Sequence, residues 1–115
     1  VGWVKTHGTG TKLNDAAECR GLGRLFGARL ADVPLTALKG AVGHAMGASG
    51  AIESVAAILA LGRGLVPPSC GTREVDPALG PCRIAMHTER SDAGRALLLG
   101  EGFGGRCTAL GLERC

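Results

Sequence analysis

The chain is predicted to be an α/β unit in which a mixed β-sheet packs on a buried helix. Three observations lead there. Residues 48–61 are apolar almost all round, with only Ser49, Glu53 and Ser54 as polar interruptions. A helix with no solvent face belongs inside a protein, and this one falls short of the roughly 20 residues that cross a bilayer. Residues 14–26 carry an amphipathic helical stripe. Four short apolar runs, 1–6, 33–36, 96–99 and 107–112, have the length and boundaries of strands.

Residues 1–6 read as a strand that stops at His7-Gly8-Thr9-Gly10-Thr11. Polar residues clustered there occupy the strand end at which open α/β sheets place ligands. Lys12 follows the GTGT turn, but the phosphate-loop spacing G-x-x-x-x-G-K-[ST] is absent. Asn14 is expected to cap the first helix, with Asp15 and Glu18 in its first turn, where negative charge suits the helix dipole. Cys19, Leu22, Leu25 and Phe26 form its apolar stripe, Arg20 and Arg24 point away, and Gly27 fits the stop.

Residues 33–36 form a second strand, leading into a Gly-punctuated turn that holds Lys39 and His44. The central helix over 48–61 ends at Gly62-Arg63-Gly64, and Pro67-Pro68 forbids its continuation. Residues 69–94 read as surface loops with an edge-strand candidate at 83–86, and His87 within them as solvated. A buried strand at 96–99 then precedes a glycine-rich turn, 100–105, carrying Phe103, and residues 107–112 alternate as a closing strand. Gly100, Gly102 and Gly105 match G-x-G-x-x-G, but no helix follows, so a dinucleotide site is not expected.

Composition narrows the classes further. A chain of 115 residues that is 45% apolar and 20% charged is globular rather than disordered, and sized for one domain over 1–115. The formal charge of +3 permits an acidic partner, but there are no Lys/Arg runs interleaved with aromatics, which argues against nucleic acid. Within these residues no stretch reads as a membrane span or as a signal-like segment. Five cysteines, with no CxxC pair and no histidine at ligand spacing, point to reduced thiols in the cytoplasm and to no metal site. The chain opens at Val1 inside a strand, so it is expected to be a fragment or a truncated reading frame.

Chemistry concentrates around residues 39–53. Lys39 and His44 lie at the mouth of the apolar helix, and Glu53 sits on it. A carboxylate there must be paired or must work, because an unpaired buried charge is too costly. Three motifs stand in order: HGTGT at 7–11, KGAVGH at 39–44 followed by GASGAIE at 47–53, and GFGG at 102–105. Together they resemble the C-terminal half of a β-ketoacyl-acyl-carrier-protein synthase, a condensing enzyme of the thiolase-like superfamily. Asn14-Asp15-x-x-Glu18 and Pro67-Pro68 also fit.

The resemblance implies a C-terminal half of a thiolase-like fold and a decarboxylative Claisen condensation in fatty-acid or polyketide-type synthesis. His7 and His44 would hold the malonyl thioester carbonyl and stabilise the enolate. Lys39 would sit behind them, Glu53 would anchor the network, and Thr9 and Thr11 would bind the phosphopantetheine arm. Phe103 would be the gate, its backbone N–H lending to an oxyanion hole. No cofactor of its own is implied; the phosphopantetheine arm of acyl carrier protein carries the substrate. The implied partners are that carrier, a pseudo-symmetric N-terminal half supplying the nucleophilic cysteine, and a second subunit in a homodimer or heterodimer. This chain alone would be inactive, and its uncovered apolar face would make it poorly soluble.

Bland readings stand beside these. Taken singly, His7 and His44 would be turn histidines, Thr9 and Thr11 turn formers, Phe103 a loop plug, and Lys39–Glu53 a structural ion pair. A non-catalytic, chain-length-factor-like partner is the alternative function, and a small stand-alone binding module is a third. Two departures from the family pattern touch the gate: Cys107 stands where the family has asparagine, and Leu97-Leu98-Leu99-Gly100-Glu101 replaces its Ser/Asn-rich lead-in.

Overall fold

Successive side chains of β1 (Trp3–Lys5) point to opposite faces of a sheet, and each face has its own core. Trp3 packs with Ala57, Leu61, Val66, Ala85, Ala96 and Leu98 on one side. Val4 packs with Cys19, Leu22, Leu30, Val33 and Leu35 on the other. The computed structural model describes residues 1–115. The remaining elements are α1 (Lys12–Phe26), β2 (Pro34–Thr36), α2 (Lys39–Val42), α3 (Ser49–Gly62), β3 (Leu65–Val66), β4 (Arg83–Ile84), β5 (Glu89–Arg90), β6 (Arg95–Gly102) and β7 (Arg106–Glu113).

The main sheet runs β4-β2-β1-β6-β7. Its first four strands are parallel, and β7 returns antiparallel to β6. From β1 the chain moves outward through β2 to β4, then comes back to place β6 on the opposite side of β1. That reversal opens a crevice beyond the carboxyl ends of β1 and β6, where ligands bind in open α/β sheets. Helices α1 and α3 cover opposite faces of this mixed sheet.

Several expectations are corrected. Helix α1 starts at Lys12 behind an extended Thr11, so Asn14 lies inside the first turn and donates to Asp15 Oδ1 instead of capping. Leu25 is exposed: at 100° per residue it drifts off the stripe held by Cys19, Leu22 and Phe26. The helix expected to be buried all round is buried only along Ser49, Glu53, Ala57 and Leu61. Ile52, Val55, Ile58 and Leu59 are 42–58% exposed, because nothing within these residues covers the side of α3 turned away from the sheet. Helix α3 does end at Gly62, as expected, and β3 separates it from the proline pair.

Residues 69–94 are more structured than surface loops. The edge strand at β4 does form, but Ser69 and Ala85 are buried and bonded to each other through Ser69 N–H and Ala85 C=O, 2.8 Å. A short antiparallel pair, β3–β5, also forms. Strand β6 extends to Gly102, which shrinks the expected glycine-rich turn to Phe103–Gly105. His87 is exposed, as expected.

Candidate active site

Alternation along β1 aims Lys5 and then His7 at the face that α3 covers, below Trp3. His7 comes just after the strand, where Gly8 takes φ +47°. A Cβ on Gly8 would stand 2.5 Å from Ala37 Cβ, so only glycine lets the loop turn this tightly against the residue after β2. Glu18 on α1 fixes the same turn from the other side, accepting from His7 N–H (2.6 Å) and Gly8 N–H (3.0 Å). Burial pushes the Glu18 carboxyl up, against the pull of those two amides.

Lys39 opens α2. The next residue, Gly40, must be glycine, because a Cβ there would lie 1.9 Å from the Cys70 carbonyl oxygen. From this position Lys39 Nζ donates to the His7 carbonyl (2.5 Å) and to Glu53 Oε1 (2.7 Å), and lies 3.4 Å from His7 Nδ1. An ammonium has three hydrogens and accepts nothing, so all three are used and His7 Nδ1 is an acceptor. The His7 proton therefore resides on Nε2. Burial pushes the His7 imidazole below its ordinary range, and the Lys39 ammonium adds to that, as does a proton on His44 whenever it carries a second one.

His44 is held the same way by different groups. Its Nδ1 lies 3.2 Å from the Met46 N–H and 3.0 Å from the Ser49 hydroxyl. An amide can only donate, so Nδ1 accepts and Nε2 carries the proton. The two rings stand edge to face with centroids 5.6 Å apart. No protein group bonds either Nε2–H.

The expected pair of Lys39 and Glu53 is present, and it is larger than expected. Glu53 Oε2 accepts from Lys5 Nζ, which also donates to the Leu99 carbonyl at 2.8 Å. Burial pushes the Glu53 carboxyl up, but the bonds from Lys39 and Lys5 outweigh it and hold the group below its usual range. Burial also lowers Lys5, against the pull of Glu53.

His7, Thr9, Thr11, His44, Glu53 and Phe103 line one cavity of about 760 Å³, joined by Asn14, Ser49, Glu101, Arg106 and Thr108. Lys39, the remaining candidate, is outside the lining and bonds His7 instead. Thr9 and Thr11 share a hydroxyl–hydroxyl bond of 2.8 Å. Phe103 is 89% exposed at the rim. None of the five cysteines lines the cavity; Cys19, on α1, is buried in the core with Val4 and Leu35, and that burial pushes its thiol well up. Sequence reasoning missed Lys5, the anchoring bonds of Glu18, and Ser49. The alternation Trp3-Val4-Lys5 was the available signal for Lys5, since it places a lysine on the same face as a core tryptophan.

Residues 1–73 match the family model of the β-ketoacyl synthase C-terminal domain. The ketoacyl synthase alpha subunit of the tetracenomycin polyketide synthase of Streptomyces glaucescens is 34% identical over 112 residues, covering 97% of this chain and 26% of that protein. The ishigamide ketosynthase/chain length factor superposes with a TM-score of 0.92 at 30% identity, over all of this chain and 28% of the other. A type II polyketide-synthase ketosynthase, solved in complex with its acyl-carrier protein, superposes at 0.93 and 29% identity, again over all of this chain and 28% of that one. The chain spans about a quarter of the length of the curated relatives it matches. No helix is long and apolar enough to cross a membrane. The α/β architecture is that of thiolase-like condensing enzymes, and the chain belongs to the β-ketoacyl synthase C-terminal domain family.

Proposed function

We propose that this chain supplies the decarboxylation half of a β-ketoacyl synthase site in polyketide or fatty-acid assembly. The observation that carries this is the pair of imidazoles, both protonated on Nε2 and unbonded there, sharing one cavity. A malonyl thioester seated in that cavity would accept both N–H groups at its carbonyl oxygen. Cleavage of the C–CO₂⁻ bond releases CO₂ and sends the electron pair toward that oxygen as an enolate. Two preorganised donors stabilise the charge where it develops. The enolate carbon then attacks the acyl thioester carbonyl, forming the new C–C bond and expelling the cysteine thiolate.

That cysteine would come from outside these residues, since none of the five present lines the cavity, and the chain alone would be inactive. Thr9 and Thr11 at the wall suit the amides of a phosphopantetheine arm, and Phe103 at the rim suits a gate. An acyl carrier protein is the proposed substrate carrier, supported by the solved complex of a similar ketosynthase with its carrier. Pairing with a second subunit, identical or chain-length-factor-like, is supported by the similar ketosynthase/chain length factor. A purely non-catalytic partner role is less favoured, because such a subunit has no need of two oriented histidines.

The test uses the full-length protein carrying this sequence, with an acyl thioester and malonyl thioester on phosphopantetheinylated carrier protein. A β-ketoacyl product with one CO₂ per turnover is expected. Acyl transfer without any CO₂ release would overturn the proposal.

A further inference from the structure

The buried ion cluster beneath the histidines holds one more positive charge than negative. Lys5 and Lys39 both donate to Glu53, and the three side chains are 3%, 6% and 2% exposed. Either lysine alone would neutralise the carboxylate. The other nearby acid, Glu18, is committed to the His7 and Gly8 amides on the far side of the turn. Burying an extra ammonium is costly, and the condensation proposed above gives Lys5 no part.

We propose that Lys5 is a positioning residue for this site: its ammonium provides the uncompensated positive charge behind His7 and His44, and its bond to Leu99 ties that charge to the strand from which the Phe103 loop hangs. The proposal rests on the enolate-binding role given to the two histidines. Lys5 stands two residues before His7 on the same face, about 7 Å away at the usual strand rise, with little water between to screen it. Its charge disfavours a proton on His7 and favours negative charge at the oxygen His7 would hold. Leu99 ends the part of β6 that packs in the core, and Glu101, Gly102 and Phe103 follow it at the cavity wall.

Lys5→Met in the full-length protein tests this. The variant retains a neutral Lys39–Glu53 pair and a side chain of similar length, so it is expected to fold. Decarboxylation of malonyl-carrier protein should slow by roughly tenfold, about 1.4 kcal/mol in the barrier, with KM little changed. The low-pH limb of the rate should move to higher pH. Lys39 on α2, His44 before α3, Glu53 on α3 and Glu18 on α1 also face His7, and none of them is altered by the substitution. The titration of His7 in protein labelled at histidine, followed by NMR, should move upward in the same variant. That readout needs no activity: a wild-type protein that releases no CO₂ defeats the histidine roles, while the His7 titration still scores Lys5. An unchanged His7 titration in Lys5→Met overturns the proposal, whether or not the rate falls, because a rate loss alone is what a merely structural lysine would give. Should Lys5→Met not fold, Lys5→Gln, which keeps a donor for Leu99 but no charge, is expected to show the same upward movement and is judged identically.

Discussion

His7 and His44 meet edge to face, their ring planes at 81° and their centroids 5.6 Å apart. They arrive from different elements, the end of β1 and the loop between α2 and α3. In each, the Nδ1 atom is fixed as an acceptor by a donor that is itself held in place: Lys39 for one, Met46 N–H and Ser49 for the other. The outcome is a matched pair of N–H groups whose orientation costs nothing at the moment of reaction.

Stability should depend on pH through His7. Burial first, then the charge of Lys39, holds its imidazole below the reference value of 6.5, so the unfolded chain takes up the proton before the folded one. The His7 contribution is fully present above pH 6.5 and is lost as pH falls below it toward the folded value. Glu18 acts with the opposite sign, because its raised carboxyl is protonated first in the folded state. Urea unfolding at pH 7.5 and 5.5, on the full-length protein and on His7→Gln, separates the two, since Glu18 bonds the backbone of residue 7 and not its side chain. The wild type should lose more stability than the variant between those values.

Glu53→Gln should be severely destabilising. It leaves the ammonium groups of Lys5 and Lys39 buried without a counter-charge, and breaking a buried pair costs about 3–5 kcal/mol. Urea midpoints of the full-length protein and its variant check this. A loss within about 1 kcal/mol would mean that water reaches the lysines and that the cluster is not the anchor of the site.

The exposed side of α3 leads to a prediction about the isolated 115-residue chain. Ile52, Val55, Ile58 and Leu59 are about half exposed on one side of α3, and covering what remains of each is worth roughly 1 kcal/mol, about half the value of burying a fully exposed side chain. The isolated chain should therefore self-associate, and Val55→Lys with Ile58→Glu should reduce the association. Size-exclusion chromatography with light scattering reads the mass directly; a monomeric wild-type chain would contradict the expectation.

Much of this was legible in the sequence, and the remainder was hidden for identifiable reasons. The strand before HGTGT, the stop at Gly27, the apolar helix α3 and the β6–β7 hairpin all follow from local periodicity and turn chemistry. The cavity-lining residues His7, Thr9, Thr11, His44, Glu53 and Phe103 followed from ordered motifs. Lys5 did not, because β1 alternation says which face it takes but not that Glu53 waits there, across 48 residues of chain. Glu18 read as a helix-dipole residue because its acceptors' partners are backbone amides, which leave no mark in sequence. The β3–β5 pair has two rungs and no pattern to announce them. The apolar run of α3 was correctly read as a helix, but its sequence cannot say that only one side is covered within these residues.

In the proposed function His44, with His7, binds the oxygen that becomes negative when malonyl thioester loses CO₂. The most direct measurement compares two half-reactions in the full-length His44→Ala protein: acyl loading onto the cysteine, and CO₂ release from malonyl-carrier protein. Removing one oxyanion donor should slow decarboxylation by about 10²–10³-fold while loading stays close to wild type. Equal loss of both half-reactions, or decarboxylation at the wild-type rate, would contradict the account.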